Sequence, residues 1–447
     1  MKSLLLILIL CLQVVKAETK LEFPDNFEWC VATSAHQIEG DNRYSDWWEF
    51  ERKDGSIKND EVSGEATNHW NLLEEDIEWL TKLKVKTYRM SIEWAKVQPG
   101  ENLWDEVSIN HYKKEIQLLE KNNISPMITL LHFTLPNWLR KIGGWSHPGA
   151  AKYFEKFTEV VFEKIAPNAK IWITFNEPML YILGGYVYGE VPPNKSSWDL
   201  LEKPLVGVLQ AHSKAYRKLH SLASRDKKEI QVGVASHFRV ISSSSRINPL
   251  SYFAAKYSSQ ALNWTINDAI DSGVLKLNFP FLVNIERKIS DLKGTQDFVG
   301  INYYKRDFIK IVTKAPFIEI EKSKSSQKTD LGWEIYPKGL NFFVNKVAEK
   351  YKNIPIFVTE NGLADKSDST RISFINSHLK WLQKSIDQGA NVLGYCHWSL
   401  MDNFEWREGF SPRFGLLEIN YKTFERTPRP SFFHFSKIIS SGKTKYE

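Results

Sequence analysis

Cysteine is scarce in this sequence. There are three in 447 residues, and one of them, Cys11, falls in the first apolar run. That excludes a scaffold held by many disulfides. Cys30 and Cys396 remain for the rest of the chain. They allow either one bridge in an oxidising compartment or two buried thiols, and such sparse usage favours the thiols. A concentrated basic stripe is missing as well. The net charge is +6, yet Lys and Arg are scattered apart from short clusters such as 322–328. No nucleic-acid partner is expected from such a surface. The eleven histidines are dispersed and give no metal-ligand spacing, so no metal is expected. No linker rich in Pro, Gly or Ser interrupts the chain, and no short repeat recurs.

Long apolar runs are confined to the amino end. Residues 1–17, MKSLLLILILCLQVVKA, set Lys2 before an apolar stretch that closes on Val15, Lys16 and Ala17. This is the pattern of a secretory signal peptide cleaved after Ala17, which makes the product secreted or periplasmic. The apolar stretch is about 13 residues, against the roughly 20 that a spanning helix needs, which disfavours an uncleaved anchor. Nothing later is long and apolar enough to span a bilayer. No stable membrane association is expected after cleavage, which also removes Lys2 and Lys16.

What is abundant is short apolar runs rich in β-branched and aromatic residues. They lie at 27–33, 86–92, 126–132, 171–176, 231–236, 297–302, 354–360 and 391–399. Each is nearly continuously apolar rather than alternating, as parallel strands covered on both faces require. Between most of them stand amphipathic patterns. In 69–84, Trp70, Leu73, Ile77 and Leu80 share one helical face; 110–123, 147–166 and 371–390 read the same way. Eightfold strand–helix alternation predicts an α/β fold, a single (β/α)8 TIM barrel with extended βα loops, occupying the mature chain 18–447.

Two of the runs stop on a glutamate beside an asparagine: TFNEP at 174–178 and VTENG at 358–362. As strands four and seven they bring Glu177 and Glu360 to the same carboxyl-end rim from opposite sides of the barrel mouth. Two facing carboxylates suit glycoside hydrolysis, in which one protonates the leaving oxygen and the other attacks the anomeric carbon or activates water. Two unrelated surface glutamates are the plainer alternative, but they would not both end a strand beside an Asn.

From about residue 23 to 436 the chain resembles glycoside hydrolase family 1, the retaining β-glucosidase family. The motifs FPDNFEWCVATSAHQIEG, YRMSIEW, HFTLP, TFNEP, INYY, GWEIYPKGL, VTENG and HWSLMDNFEW follow one another in family order. The resemblance implies a retaining enzyme acting on terminal β-D-glycosyl residues of small β-glycosides or oligosaccharides, through a covalent glycosyl-enzyme and without a cofactor. It makes Glu177 the acid/base and Glu360 the nucleophile. Arg89 and Tyr304 are similar to the residues that keep the nucleophile ionised, and the Glu360 charge is then expected to raise the Glu177 pKa. Gln37, His132 and Glu405 match the hydroxyl-binding set. Asn176 matches the partner of the sugar 2-hydroxyl, and Asn302 another rim residue. Trp398 resembles the stacking floor, Trp406 an indole donor and Trp333 the platform for the leaving group. A carboxylate at Glu405 would repel a 6-phosphorylated sugar, and no Ser/Lys/Tyr cluster for phosphate accompanies it.

The sequence also departs from the family pattern. Phe133 stands where a tryptophan is common, so one glycone hydrogen bond is lost and glucose-versus-galactose preference stays open. Cys30 and Cys396 are both unusual and fall on the first and eighth strands, which are neighbours in a barrel; contact between the two is expected. His36 replaces a common tyrosine. A transglycosylase would use the same intermediate. A non-catalytic sugar-binding relative would usually lack one or both glutamates, which are present here.

Overall fold

The computed structural model describes residues 19–245, 247–312, 318–321, 323–352 and 354–446. The leader expected at 1–17 lies outside them.

Eight parallel strands form the barrel: β1 (Glu28–Ala32), β2 (Thr87–Ser91), β3 (Ser125–Leu131), β4 (Ile171–Asn176), β5 (Gln231–Ser243), β6 (Phe298–Ile311), β7 (Ile356–Asn361) and β8 (Val392–Trp398). Each pairs with the next, β8 returns to β1, and β5 pairs with β6, so the sheet closes with no free edge. The expected (β/α)8 barrel is therefore present, with every predicted run on its own strand. Strands β5 and β6 run beyond the predicted ends, and Ile318–Glu321 adds antiparallel to the extension of β6. The terminal segments Thr19–Glu22 and Lys443–Tyr446 pair antiparallel outside the barrel.

The near-continuous apolar runs are explained by two packing layers. Inside the barrel, Cys30, Met127, Ile173, Phe298, Phe357 and Cys396 form one fully buried cluster. Outward-facing strand residues pack under the helices. In the helix Leu73–Leu83, Leu73, Ile77, Leu80 and Leu83 are buried, each worth about 1.5–3 kcal/mol of transfer free energy. This helix begins later than the predicted residue 69, because Asn68 is left-handed (φ 58°) and the His69 N–H goes to the Ile38 carbonyl. It ends on left-handed Lys84 (φ 68°).

The preference for free thiols is corrected by the structure. Cys30 and Cys396 sit opposite each other in the β1–β8 register and are joined, with S–S 2.05 Å. Directly paired strand positions put the two side chains within bonding reach. Glycine at 362 has a similarly local cause, since a Cβ there would overlap the Trp398 carbonyl oxygen where β7 and β8 meet.

Candidate active site

Of the twelve sequence-predicted site residues, Arg89 lies inside β2 and Asn302 and Tyr304 inside β6, and the other nine lie at or just beyond the carboxyl ends of the barrel strands or in the loops that follow them. Alternation along a strand puts residues two apart on one face. Asn302 and Tyr304 on β6 therefore both point inward, as does Arg89 on β2. Arg89 is fully buried and spreads its guanidinium over three strands, with Nε donating to Thr129 on β3 at 3.2 Å. Nη1 donates to Glu360 Oε1 at 2.6 Å, and Nη2 to Asn176 Oδ1 at 2.7 Å. Tyr304 Oη donates to the other Glu360 oxygen at 2.6 Å. Asn302 Nδ2 spends its two hydrogens on Asn176 Oδ1 (2.9 Å) and Glu177 Oε1 (3.0 Å), while its own oxygen accepts from Thr359. One buried network thus spans both glutamates.

The donors fix the remaining orientations. Arg89 and the Asn302 amide nitrogen can only donate, so the Asn176 oxygen faces them and its nitrogen faces His132 Nε2 at 3.1 Å. That nitrogen of His132 must accept, which puts the ring proton on Nδ1, an atom with no protein partner among the described residues. Burial and then the Arg89 charge hold His132 well below its usual pKa, so the ring is neutral.

Glu177 follows β4 in the left-handed region (φ 45°), a conformation that costs on the order of 1–3 kcal/mol for a non-glycine residue. Its N–H donates to the Ala235 carbonyl at 2.7 Å and its own carbonyl accepts from Tyr181 at 3.1 Å, bonds that offset the strain and lock the turn.

The order of the two pKa values differs from expectation. Burial, with the Glu177 charge adding to it, pushes Glu360 up to about 7 despite Arg89 and Tyr304. Burial would raise Glu177 too, but His237 and the Asn302 amide outweigh it and hold Glu177 below the ordinary carboxylate range. The sequence reading had no such partner for Glu177. His237 Nδ1 lies 2.8 Å from Glu177 Oε1 and was missed, although it directly follows the predicted run 231–236 and lies level with Asn302 on β6.

At the opposite wall, Gln37 Nε2 donates to Asn403 at 2.8 Å and to Glu405 at 3.3 Å. Loss of water around Glu405, then the Glu360 charge, push it up to about 8, so near neutrality it is protonated rather than the expected carboxylate. Trp398 ends β8 and stacks beside His132, with ring centroids 5.8 Å apart. Trp406 lies nearly parallel to His132 at 6.0 Å and to His36 at 5.5 Å, which gives His36 a role the sequence did not offer. Phe133 packs edge-on to Trp406 at 5.0 Å and stacks on Tyr181. Trp333 stands further out, against Tyr304 and Phe414, with Lys305 Nζ 4.7 Å from its ring. Among the described residues no group of three or more His, Cys, Asp or Glu is arranged to hold a metal ion, and no helix is long and apolar enough to cross a membrane.

A closed (β/α)8 barrel with two buried glutamates on one such network is the architecture of an O-glycosyl hydrolase. Comparison with known proteins gives the family. Residues 19–444 match the model of Glycosyl hydrolase family 1. Beta-glucosidase A of Thermotoga maritima is 30% identical over 94% of this chain and 98% of its own length. A Beta-galactosidase of Pyrococcus woesei is 31% identical over 95% and 98%. Among solved structures, a beta-glycosidase from Pyrococcus horikoshii superposes with a TM-score of 0.87 at 38% identity, covering 96% of this chain and 97% of that one. The chain belongs to glycosyl hydrolase family 1.

Proposed function

We propose that the protein is an exported, retaining β-glycosidase that removes terminal non-reducing β-D-glycosyl residues, β-D-glucosides first among them, by double displacement. The observation that carries this reading is the single hydrogen-bonded network from Glu177 through Asn302, Asn176 and Arg89 to Glu360. Burial and mutual repulsion disfavour the doubly ionised pair, so the two glutamates share one proton near neutrality. The reactive form has that proton on Glu177 and the anion on Glu360, gripped by Arg89 and Tyr304.

In the first step a Glu360 oxygen attacks the anomeric carbon. The bond to the leaving oxygen breaks, its electron pair stays on that oxygen, and Glu177 supplies the proton. Esterified Glu360 no longer carries charge. Glu177 then takes a proton from water, the water oxygen bonds to the anomeric carbon, and Glu360 leaves.

Asn176 has one amide hydrogen committed to His132 and another for the sugar 2-hydroxyl. Gln37, Glu405, His132 Nδ1 and Trp406 supply the remaining glycone contacts, over the Trp398 face. The leaving group lies toward Trp333. Lys305, over that ring, pairs with Asp307, which lines a cavity of about 480 Å³ walled by Leu183, Tyr188, Trp198 and Phe279. The names of relatives support a β-glucoside or β-galactoside substrate. Export is supported by the leader at 1–17 and by a buried disulfide, a bond that persists in oxidising compartments.

Proton NMR of the reaction tests the reading, with 4-nitrophenyl β-glucoside, β-galactoside, β-fucoside and 6-phospho-β-glucoside run side by side. The expected result is turnover of a neutral glycoside with the β anomer appearing first. A first-formed α anomer, or turnover of the phosphorylated sugar alone, would overturn it.

A further inference from the structure

Glu177 does not meet its neighbours symmetrically. Both protein hydrogen bonds to its carboxylate, from Asn302 at 3.0 Å and from His237 at 2.8 Å, go to Oε1, and none among the described residues reaches Oε2. Arg239 settles which way the His237 contact runs. Its Nε lies 3.1 Å from His237 Nε2, and a guanidinium can only donate. His237 Nε2 therefore keeps its lone pair, the ring proton sits on Nδ1, and His237 donates to Glu177.

The arrangement is held from several sides. Arg239 is two residues along β5 and so on the same face. Its Nη1 is 2.7 Å from Asp307, which also pairs with Lys305 at 3.2 Å. Asn263 clamps the Arg239 backbone, accepting from its N–H at 2.9 Å and donating to its carbonyl at 3.0 Å. The His237 ring lies near-parallel to Tyr304, 6.4 Å away, and Tyr304 bonds Glu360. The charged and titratable groups around the ring are thus Glu177, Arg239, Lys305, Tyr304 and, through Arg239, Asp307. Burial, with Arg239 and Lys305 acting against the Glu177 charge, holds His237 below its usual pKa. The ring is therefore neutral.

We propose that His237, oriented by Arg239, is a positioning residue for the acid/base: it pins Glu177 Oε1 and leaves Oε2 to carry the proton given to the leaving oxygen. This rests on the retaining-glycosidase reading. In the step, the Oε2 proton moves to the departing oxygen, the electron pair of the broken bond stays on that oxygen, and His237 keeps its own proton throughout.

The test compares octyl β-glucoside, whose alkoxide needs the acid, with 2,4-dinitrophenyl β-glucoside, whose phenolate leaves without it. His237→Leu should lower kcat/KM for the octyl substrate by about tenfold or more and change the dinitrophenyl value less than about twofold. Loss of a bond to the carboxylate should also move the basic limb of the kcat/KM profile up by about half to one unit. His237→Asn, whose amide nitrogen can stand where Nδ1 stands, should restore both. A uniform loss on the two substrates with an unmoved limb, or no change at all, would overturn the proposal. A ¹⁵N-histidine spectrum of the parent protein, assigned by the signal missing in His237→Asn, tests it without reliance on the Leu variant folding. At about pH 7.5, above the ordinary imidazole pKa, a neutral ring protonated on Nδ1 is expected, and an Nε2-protonated ring or an imidazolium contradicts it. Failure of the parent protein to turn over either glucoside would instead count against the glycosidase reading.

Discussion

Arg89 Nη1 and Glu360 Oε1 lie 2.6 Å apart in a site where both side chains are buried, and the other end of the same guanidinium holds Asn176 at 2.7 Å. A charge pair so stripped of water is costly to break from one side, because the partner is left buried and alone. Arg89→Met should lower the unfolding free energy by about 3–5 kcal/mol. It should also lower kcat/KM by about a hundredfold or more, as loss of an oriented charge-stabilising group does. Urea unfolding and steady-state kinetics check the two effects. A variant as stable and as active as the parent would remove Arg89 from the network's centre.

The Asn176 amide offers a narrower test. With its oxygen taken by Arg89 and Asn302, only one hydrogen on its nitrogen is left for substrate. Asn176→Ala should reduce kcat/KM on a β-glucoside by about a hundredfold, and far less on the 2-deoxy glycoside, where the contact is already missing. Equal losses on both substrates would mean that the residue does not bind the 2-hydroxyl.

How much of this was legible beforehand depended on whether a residue's role was local. Glu177 and Glu360 could be read because each closes an apolar strand run, and barrel topology then brings strand ends together. Gln37, His132, Glu405 and the site tryptophans were nameable because they stand inside recognisable motifs. His237 and Arg239 stand in VASHFRV, which carries no such motif, and their meaning depends on Asp307 and Asn263 at distant points of the chain. The hydrogen bond from His237 to Glu177 was missed for the same reason. The cysteine bridge needed the β1–β8 register, which sequence spacing does not give. The late start of the first long helix depended on a tertiary bond from His69 to Ile38.

That bridge makes a prediction about thiols. The denatured, unreduced protein without residues 1–17 should titrate no free thiol, since Cys30 and Cys396 are joined. Cys30→Ser should lower the unfolding free energy by about 2–5 kcal/mol. Two titratable thiols would contradict the structure.

His69 links stability to pH. It bridges Asp76 (2.7 Å) and Glu115 (3.1 Å), and Arg426 holds Asp76 from the far side. Burial alone would lower the imidazole pKa, but the Glu115 charge and the bonds to both carboxylates raise it to about 10. The unfolded value is about 6.5. A group raised on folding contributes fully below its unfolded pKa and loses that contribution as pH climbs through the folded one. The stability difference between the parent and His69→Asn should therefore shrink steadily from about pH 6.5 to about 10. Urea midpoints across that range measure it. A difference that stays constant would show that His69 is not charged in the native protein.

The most direct measurement is azide rescue at Glu360. Glu360→Ala should abolish turnover of 4-nitrophenyl β-glucoside, and added azide should restore nitrophenol release with α-glucosyl azide as the product, the small anion attacking from the side the carboxylate has vacated. Undiminished turnover in that variant, or rescue that gives the β-azide, would contradict the assignment of Glu360 as the nucleophile and, with it, the double-displacement mechanism.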